Sequence, residues 1–213
     1  MTAARSAPET VPAFVPLPVV LEGDVVRLEP LGVQHAEGLL AAGHHESLWR
    51  VTVQPPLVSA AAVSSYLATS AASLASGQEV PFALVHRASG AVVGSTRWMD
   101  IARPHRRVEI GGTWVTPAYQ RSAINTEAKL LQMAHLFDVL GALRVQYKTD
   151  LRNTQSQRAL EGIGAVREGV LRRHMVVRDG FVRDSVYYGI TDEDWPRVRR
   201  LLEQRLLSHA GFP

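Results

Sequence analysis

A segment that could bind an anion precedes the clearest helical pattern in the chain. It reads Gln120-Arg121-Ser122-Ala123-Ile124-Asn125 and contains no glycine. Apolar residues then recur at three- and four-residue spacings as far as Leu140, which predicts a helix that begins at about Thr126. The first N–H groups of a helix have no intrahelical partners and carry partial positive charge. The sequence therefore predicts an anion site built largely from backbone N–H groups.

The elements that must hold this segment in place alternate in a way that indicates a mixed α/β fold. Strands are predicted at 25–28, 81–87, 92–99, 108–115, 143–151, 166–177 and 181–190, and helices at about 36–43, 59–75, 126–140, from 154, and 194–207. The turns Ala88-Ser89-Gly90 and Arg178-Asp179-Gly180 predict two hairpins. The three strands between 81 and 115 are expected to form a meander.

The N-terminal 20 residues differ from the rest of the chain. They carry prolines at positions 8, 12, 16 and 18, which predicts an extended arm at 1–20 outside a single domain at 21–213. No stretch approaches the roughly 18 consecutive apolar residues of a membrane span. The chain contains no cysteine, which excludes disulfides and a cysteine nucleophile and favours a cytoplasmic setting.

The charged residues argue against two further classes of site. The run His44-His45-Glu46 could suggest a metal, but adjacent histidines point in different directions and no third ligand is evident, so no metal site is expected. The net charge of +3 comes from many arginines and two lysines, Lys129 and Lys148. The arginine-rich stretches are not interleaved with aromatic residues, so nucleic-acid binding is not expected either.

Four segments in a fixed order resemble the GNAT superfamily of acyl-CoA-dependent N-acetyltransferases. They read VEIGGTWV, QRSAINTEAKLL, YKTDLRN and SQRALEGIGAVREGVL, and they are most similar to the RimJ/RimL-like branch. The resemblance covers roughly residues 23 to 190. It implies a single-domain GNAT-like fold, in which helices flank a mixed, mostly antiparallel twisted sheet with two splayed central strands. It also implies acetyl-CoA as co-substrate and direct attack by a primary amine, on a small molecule or a protein N-terminus.

In this family the segment 120–125 binds the coenzyme A pyrophosphate, with glycine at the places of Ala123 and Asn125. Asn125 tolerates left-handed dihedrals and is a favoured N-cap, so it can replace a glycine. At Ala123 a positive φ would cost on the order of 1 kcal/mol, whereas a negative φ would cost almost nothing. The resemblance further implies that Arg121 and Arg158 could reach cofactor phosphates.

The resemblance also implies a route for the rest of the cofactor. The backbone of Trp114, Val115 and Thr116 is expected to bind the pantetheine arm in the gap between the splayed strands. Asn153 and Ser156 are expected to hydrogen-bond the pantetheine amides and the thioester sulfur. The helix that follows Asn153 lacks the tyrosine that relatives use to protonate the sulfur, so Ser156 takes that place. Asn153 could instead serve only as the helix N-cap.

Glu109 is the leading candidate for the base that deprotonates the amine, because many relatives place a carboxylate on this strand. The alternative is an exposed carboxylate paired with Arg106 or Arg107. RimL-like enzymes carry a glutamate at the place of Met175. His174 beside it, or Asp184 across the hairpin, could substitute.

The acceptor is expected between the first two helices and the final hairpin, near Trp49, Arg50, Tyr187 and Tyr188. Arginines and aromatic rings would suit a carboxylate-bearing acceptor or a peptide terminus. A homodimer paired through the hairpin edge and a monomer both remain open. Ala123 and Met175 also leave a second function open, a non-catalytic acyl-CoA-binding or interaction module.

Overall fold

A computed structural model of the protein describes residues 13–50 and 52–210. The strands are β1 Leu21–Glu22, β2 Val26–Pro30, β3 Val80–His86, β4 Val92–Ala102, β5 Arg107–Val115, β6 Arg144–Asp150, β7 Val166–Val176 and β8 Val182–Thr191. The helices are α1 Ala36–Gly43, α2 Ala60–Ala75, α3 Ala123–Ala134, α4 Thr154–Gly162 and α5 Trp195–Ala210, and a π-helical turn, His135–Val139, extends α3. The predicted order of elements is confirmed.

The strands form one open sheet in the order β1-β2-β3-β4-β5-β6-β8-β7. The pairs within the predicted meander, β3–β4 and β4–β5, are antiparallel. The β5–β6 pair is parallel and spans three residues on each strand, from Arg107 to Glu109 and from Arg144 to Gln146. The mixed, mostly antiparallel sheet expected for the fold is therefore present. Its central strands, β5 and β6, pair only over these three residues and then separate.

Two cores cover the two faces of this sheet. The larger core packs α3 and α5 against one face, with Met133, Leu136 and Val198 fully buried. The smaller core packs α1 and α2 against the other face around Trp49. Phe14, from the proline-rich arm, is buried in the larger core, so this part of the arm packs against the sheet.

Helix α3 begins three residues earlier than predicted, so the prediction that it begins at Thr126 is wrong. The first helical residue is Ala123, and the Ser122 side chain caps the helix by accepting a hydrogen bond from the Ile124 N–H at 3.3 Å. Asn125 is consequently a first-turn residue rather than the N-cap. Serine is as good an N-cap as asparagine and alanine is the best helix former, so the chain turns helical as soon as Ser122 permits.

A buried carboxylate, Glu127, fixes the start of α3 to the sheet. Its two oxygens accept hydrogen bonds from the backbone N–H groups of Asp24, Val25 and Val26 at 2.7 to 2.8 Å. Gly23 lies so close that an added Cβ would stand 2.4 Å from the Glu127 carboxyl carbon. This contact holds the N-terminal end of α3 at a fixed distance from β2.

Candidate active site

The central gap of the sheet opens where the β5–β6 pairing ends, at Glu109 and Gln146. Beyond it, the Thr116 N–H donates to the Val93 carbonyl on β4 at 2.8 Å. Successive peptide groups along a strand point to opposite edges, so the Val115 peptide groups face the gap. The Gln120 side-chain amide donates to the Val115 carbonyl at 2.9 Å, which leaves the Val115 N–H as the strand donor on the gap side.

A bulge in β5 changes which face of the sheet its side chains occupy. Arg97 is opposite Gly111 but Ser95 is opposite Trp114, so β5 carries one residue more than β4 in this interval. Gly112 has φ +58° there, in the left-handed region that glycine adopts without strain. Because of the extra residue, Glu109 lies on the α1–α2 face whereas Thr113 contacts α3.

The segment before α3 carries its left-handed residue at Arg121, with φ +60°, and not at Ala123. Ala123 is helical, so its methyl group is compatible with the backbone. The Ser122 hydroxyl donates to the Tyr119 carbonyl at 2.6 Å and caps Ile124, which fixes the direction of the helix. The N–H groups of Ala123 and Asn125 belong to the first turn, where the helix itself supplies no acceptor. The backbone N–H groups on which the predicted anion site depends therefore lie in the first turn of α3.

Helix α4 starts across the gap from this segment. Asn153 is its N-cap, with Oδ1 accepting from the Ser156 N–H at 3.0 Å, so the capping alternative describes its side chain. Gln155 Nε2 lies 3.4 Å from Gln120 Oε1, which connects α4 to the loop. Ser156 is half-buried, and Arg158 is exposed, as Arg121 is. The structure thus brings Gln120 and α4 together and leaves both arginines at the surface.

Glu109 is buried in the sheet, with 1% of its surface exposed, so the alternative of an exposed carboxylate is wrong. Its Oε2 lies 3.2 Å from Lys148 Nζ and 3.4 Å from Gln146 Nε2. Burial raises the pKa of Glu109, and the adjacent Lys148 opposes that rise. Arg107 is engaged by Asp100 and Gln146 instead. Burial therefore gives this carboxylate a higher proton affinity than an exposed glutamate has.

The two alternative bases occupy different environments. His174 Nδ1 lies 3.0 Å from Ser185 Oγ, and Nε2 lies 3.3 Å from the Tyr187 hydroxyl. Burial lowers the pKa of His174, and the positive charges of Lys148 and Arg183 lower it further. Asp184 accepts a hydrogen bond from the Arg173 N–H at 2.6 Å, where Arg173 has φ +50°. Asp184 therefore stabilises a backbone irregularity in β7.

Several neighbours of Glu109 were not anticipated, because they depend on strand register. Lys148 follows Gln146 on β6, and Tyr187 pairs with Lys148 in the β6–β8 ladder. The sequence offered one hint that Lys148 could be a site residue, which is that the chain has only two lysines. Tyr188 was expected near the acceptor, but it points to the opposite face, where its hydroxyl donates to Glu161 on α4 at 3.0 Å. That expectation is wrong, since adjacent strand residues face opposite sides.

A cavity of about 290 Å³ lies on the expected acceptor side. It is lined by Glu46, Trp49, Arg50, Pro56, Val58 and Arg178. Arg178 Nη2 donates to the Trp49 carbonyl at 2.8 Å and so joins the β7–β8 hairpin to the segment after α1. The two stretches predicted to meet around the acceptor do meet, through Trp49 and Arg178.

Within 13–50 and 52–210, no three His, Asp or Glu side chains are grouped so that they could hold a metal ion. No helix in these same ranges is long and apolar enough to cross a membrane.

Comparisons with known proteins agree with this geometry. Residues 26–166 match the model of the acetyltransferase (GNAT) domain. The chain is similar to an uncharacterized N-acetyltransferase, YoaA, of Bacillus subtilis (strain 168), with 26% identity over 80% of this chain and 96% of that protein.

Solved structures give the same result. A GCN5-related N-acetyltransferase from Brucella melitensis superposes with a TM-score of 0.86 and 32% identity, covering 93% of this chain and 90% of that one. Mycobacterium smegmatis RimJ, solved in complex with CoA-disulfide, shares the fold at a TM-score of 0.73 and 24% identity, covering 88% of this chain and 95% of its own. The chain belongs to the GNAT acetyltransferase family and is an acyltransferase.

Proposed function

We propose that this enzyme moves an acetyl group from acetyl-CoA to a primary amine by direct attack, with Glu109 as the base. The observation that carries the proposal is the buried Glu109–Lys148 pair at the point where the β5–β6 gap opens. Acyl transfer to an amine needs a proton acceptor next to the site where the thioester binds. Glu109 is a buried carboxylate at that end of the gap, which supports this role.

The residues around the gap fit coenzyme A. The first-turn N–H groups of Ala123 and Asn125 would hold the pyrophosphate, since they lack intrahelical acceptors. The Val115 N–H faces the gap and would bind the pantetheine arm. Arg121 and Arg158 are exposed near the two helix starts and would add charge-assisted contacts to phosphate. Bound acetyl-CoA supplies the activated acetyl group.

Glu109 would accept a proton from the amine as the new carbon–nitrogen bond forms. Its raised pKa makes it a stronger base than an exposed glutamate, while Lys148, 3.2 Å away, favours its ionised form. The alternative function, a non-catalytic module, rested partly on Ala123. Because the backbone at Ala123 is helical, Ala123 no longer argues for a non-catalytic module. Met175 cannot act as a base, but the buried Glu109 provides a carboxylate for that role.

The acceptor would enter past the cavity at Trp49, Arg50 and Arg178. Arginine side chains there favour an acceptor with a carboxylate or with backbone carbonyl groups near its amine. Amino acids, short peptides with a free N-terminus and small amines are therefore the substrates to compare.

The experiment is a thiol-release assay with the full chain, acetyl-CoA and these amines. The chain has no cysteine, so a thiol reagent reports only the coenzyme A that the reaction releases. Glu109→Gln should lower the rate about 100-fold or more at saturating amine. Glu203→Gln, an exposed carboxylate on α5, is the matched control and should leave the rate unchanged. An unchanged rate for Glu109→Gln across pH would disprove the assignment of the base.

Calorimetry with coenzyme A tests the cofactor separately from the chemistry. Binding in the micromolar range, weakened at high salt, is the expected result for phosphates held by N–H groups and arginines. No heat of binding at millimolar coenzyme A would overturn the proposal for the cofactor site.

A further inference from the structure

A buried lysine on α3 reaches the gap between β5 and β6 from the side opposite Glu109. Lys129 Nζ donates to Thr113 Oγ1 on β5 at 2.9 Å and lies 5.5 Å from the centre of the Tyr147 ring on β6. These two strands have already separated at this level, because their pairing ends at Glu109 and Gln146. Lys129 therefore bridges the two edges of the gap.

The lysine amine has no charged partner within the described part of the chain. Lys129 is 5% exposed, and its contacts are the Thr113 hydroxyl and the Tyr147 ring. Burial alone lowers the pKa of Lys129 to about 7. Among the described residues, the titratable side chain in contact with it is Tyr147, whose pKa burial raises and whose hydroxyl donates to Met133 Sδ at 3.2 Å, so Tyr147 stays neutral.

Thr113 lies between this buried amine and the part of the gap that solvent can reach. Thr113 is only half-buried, whereas Lys129 lies beneath it. Its hydroxyl accepts from Lys129 Nζ and lies 2.7 Å from the Thr96 hydroxyl. A hydroxyl that accepts a hydrogen bond from an ammonium keeps its own proton free to donate. Thr113 also precedes Val115 by two residues. It therefore lies about 7 Å from Val115 along β5, toward the end of the gap where β5 and β6 are still paired.

An unpaired buried ammonium lowers the stability of a fold, and an apolar side chain would fill the same space without that cost. Acyl transfer from a thioester, in contrast, needs a proton for the departing sulfur. Helix α4 offers no tyrosine, and the Ser156 hydroxyl is too weak an acid to supply a proton by itself. An acid that titrates near the working pH is well suited to this transfer.

We propose that Lys129, acting through the Thr113 hydroxyl, donates the proton to the leaving sulfur of the acyl donor. This inference rests on the proposed function. As the carbon–sulfur bond breaks, the sulfur keeps the bonding pair and takes the Thr113 proton, and Thr113 takes one from Lys129 Nζ. Glu109 takes the proton that the amine releases and then gives it to solvent, while solvent returns a proton to Lys129, so protons and charge balance over the cycle.

Nuclear magnetic resonance tests the placement without turnover. With ε-carbon-labelled lysine, the chain gives two signals, Lys129 and Lys148, which Lys148→Arg assigns. The Lys129 signal should titrate near pH 7 in the free protein. Coenzyme A should change that titration, whereas adenosine 3′,5′-bisphosphate, which lacks the pantetheine arm, should leave it unchanged. Equal effects of the two ligands, or no effect of coenzyme A that binds by calorimetry, would refute this inference and leave the proposed function standing.

Kinetic variants test the proton transfer. Thr113→Val keeps the shape and removes the hydroxyl, and it should lower kcat about 10- to 100-fold with the KM for acetyl-CoA changed less than about threefold. In the wild type, kcat should fall as the pH rises through the Lys129 titration. Arginine does not release a proton near neutral pH, so Lys129→Arg should have a lower kcat that no longer changes over this pH range.

A purely structural role for Lys129 predicts different results. Thr113→Val and Lys129→Arg would then alter the melting temperature or the KM and leave the pH profile of kcat as in the wild type. Thr69→Val, on the exposed face of α2, is the matched control for a threonine hydroxyl and should leave both kcat and its pH profile unchanged.

Discussion

Replacing Lys129 with methionine should stabilise the fold, and the gain should depend on pH. The pKa of Lys129 falls from 10.5 to about 7 on folding, and burial is the cause. At 1.36 kcal/mol per pH unit, this difference corresponds to about 5 kcal/mol of lost stability well below pH 7. Methionine fills a similar volume without a charge, so Lys129→Met should recover much of this amount, less about 1 kcal/mol for the lost hydrogen bond to Thr113.

The sign of the pH dependence follows from proton binding. Between pH 7 and 10.5 the unfolded chain binds a proton at Lys129 that the folded chain has released, so the wild type becomes more stable as the pH rises. Its stability should increase by about 2 kcal/mol from pH 7 to pH 9 because of this group alone. In Lys129→Met this contribution should be absent, so the difference in unfolding free energy between the variant and the wild type should become smaller as the pH rises.

Urea unfolding followed by tryptophan fluorescence at pH 6.5, 7.5, 8.5 and 9 measures this difference. Arg200→Met, which removes an exposed cation from α5, is the control and should differ from the wild type by an amount that does not vary with pH. If the difference between Lys129→Met and wild type is constant over this range, Lys129 is not the desolvated group that the structure indicates, and the reasoning fails.

Three further predictions concern the same site. Glu109→Gln should abolish the rise of kcat/KM with pH that ionisation of this buried carboxylate produces in the wild type, measured by thiol release from pH 5 to 8. Ala123→Gly should change the Kd for coenzyme A less than about threefold but lower stability by about 0.5 to 1 kcal/mol, because Ala123 is already helical; a large gain in affinity would contradict this. Glu127→Gln should cost about 2 to 4 kcal/mol in urea unfolding, since an amide has one acceptor oxygen for three backbone donors.

The sequence was sufficient to predict the element order, because periodicity and turn residues are local signals. The helix predicted at 59–75 illustrates this, since the observed helix starts at Ala60, directly after Ser59, whose side chain caps it by accepting from the Ala62 N–H. The predicted start of α3 is three residues too late, because the family pattern has glycines at positions 123 and 125 and so places both residues in the loop before the helix. Ser122 was a capping signal that the comparison overlooked.

The partners of Glu109 could not be predicted, because they depend on long-range register. An arginine neighbour in sequence was the obvious ion-pair candidate, but Lys148 lies on β6 and reaches Glu109 only through the parallel β5–β6 pairing. Lys129 was hidden for a related reason. It lies on the face of α3 that packs against the sheet, where an apolar residue is the ordinary expectation.

The bulge in β5 explains how a base and an acid can approach one reaction from opposite sides. In a regular strand, Glu109 and Thr113 would face the same side, because they are four residues apart. The extra residue at Gly112 turns Thr113 to the α3 face, where it meets Lys129, while Glu109 keeps the α1–α2 face and Lys148. The two lysines are thereby separated by the sheet. The amine would lose its proton on one face of the sheet, and the sulfur would gain a proton on the other. The amine therefore does not need to pass its proton directly to the sulfur.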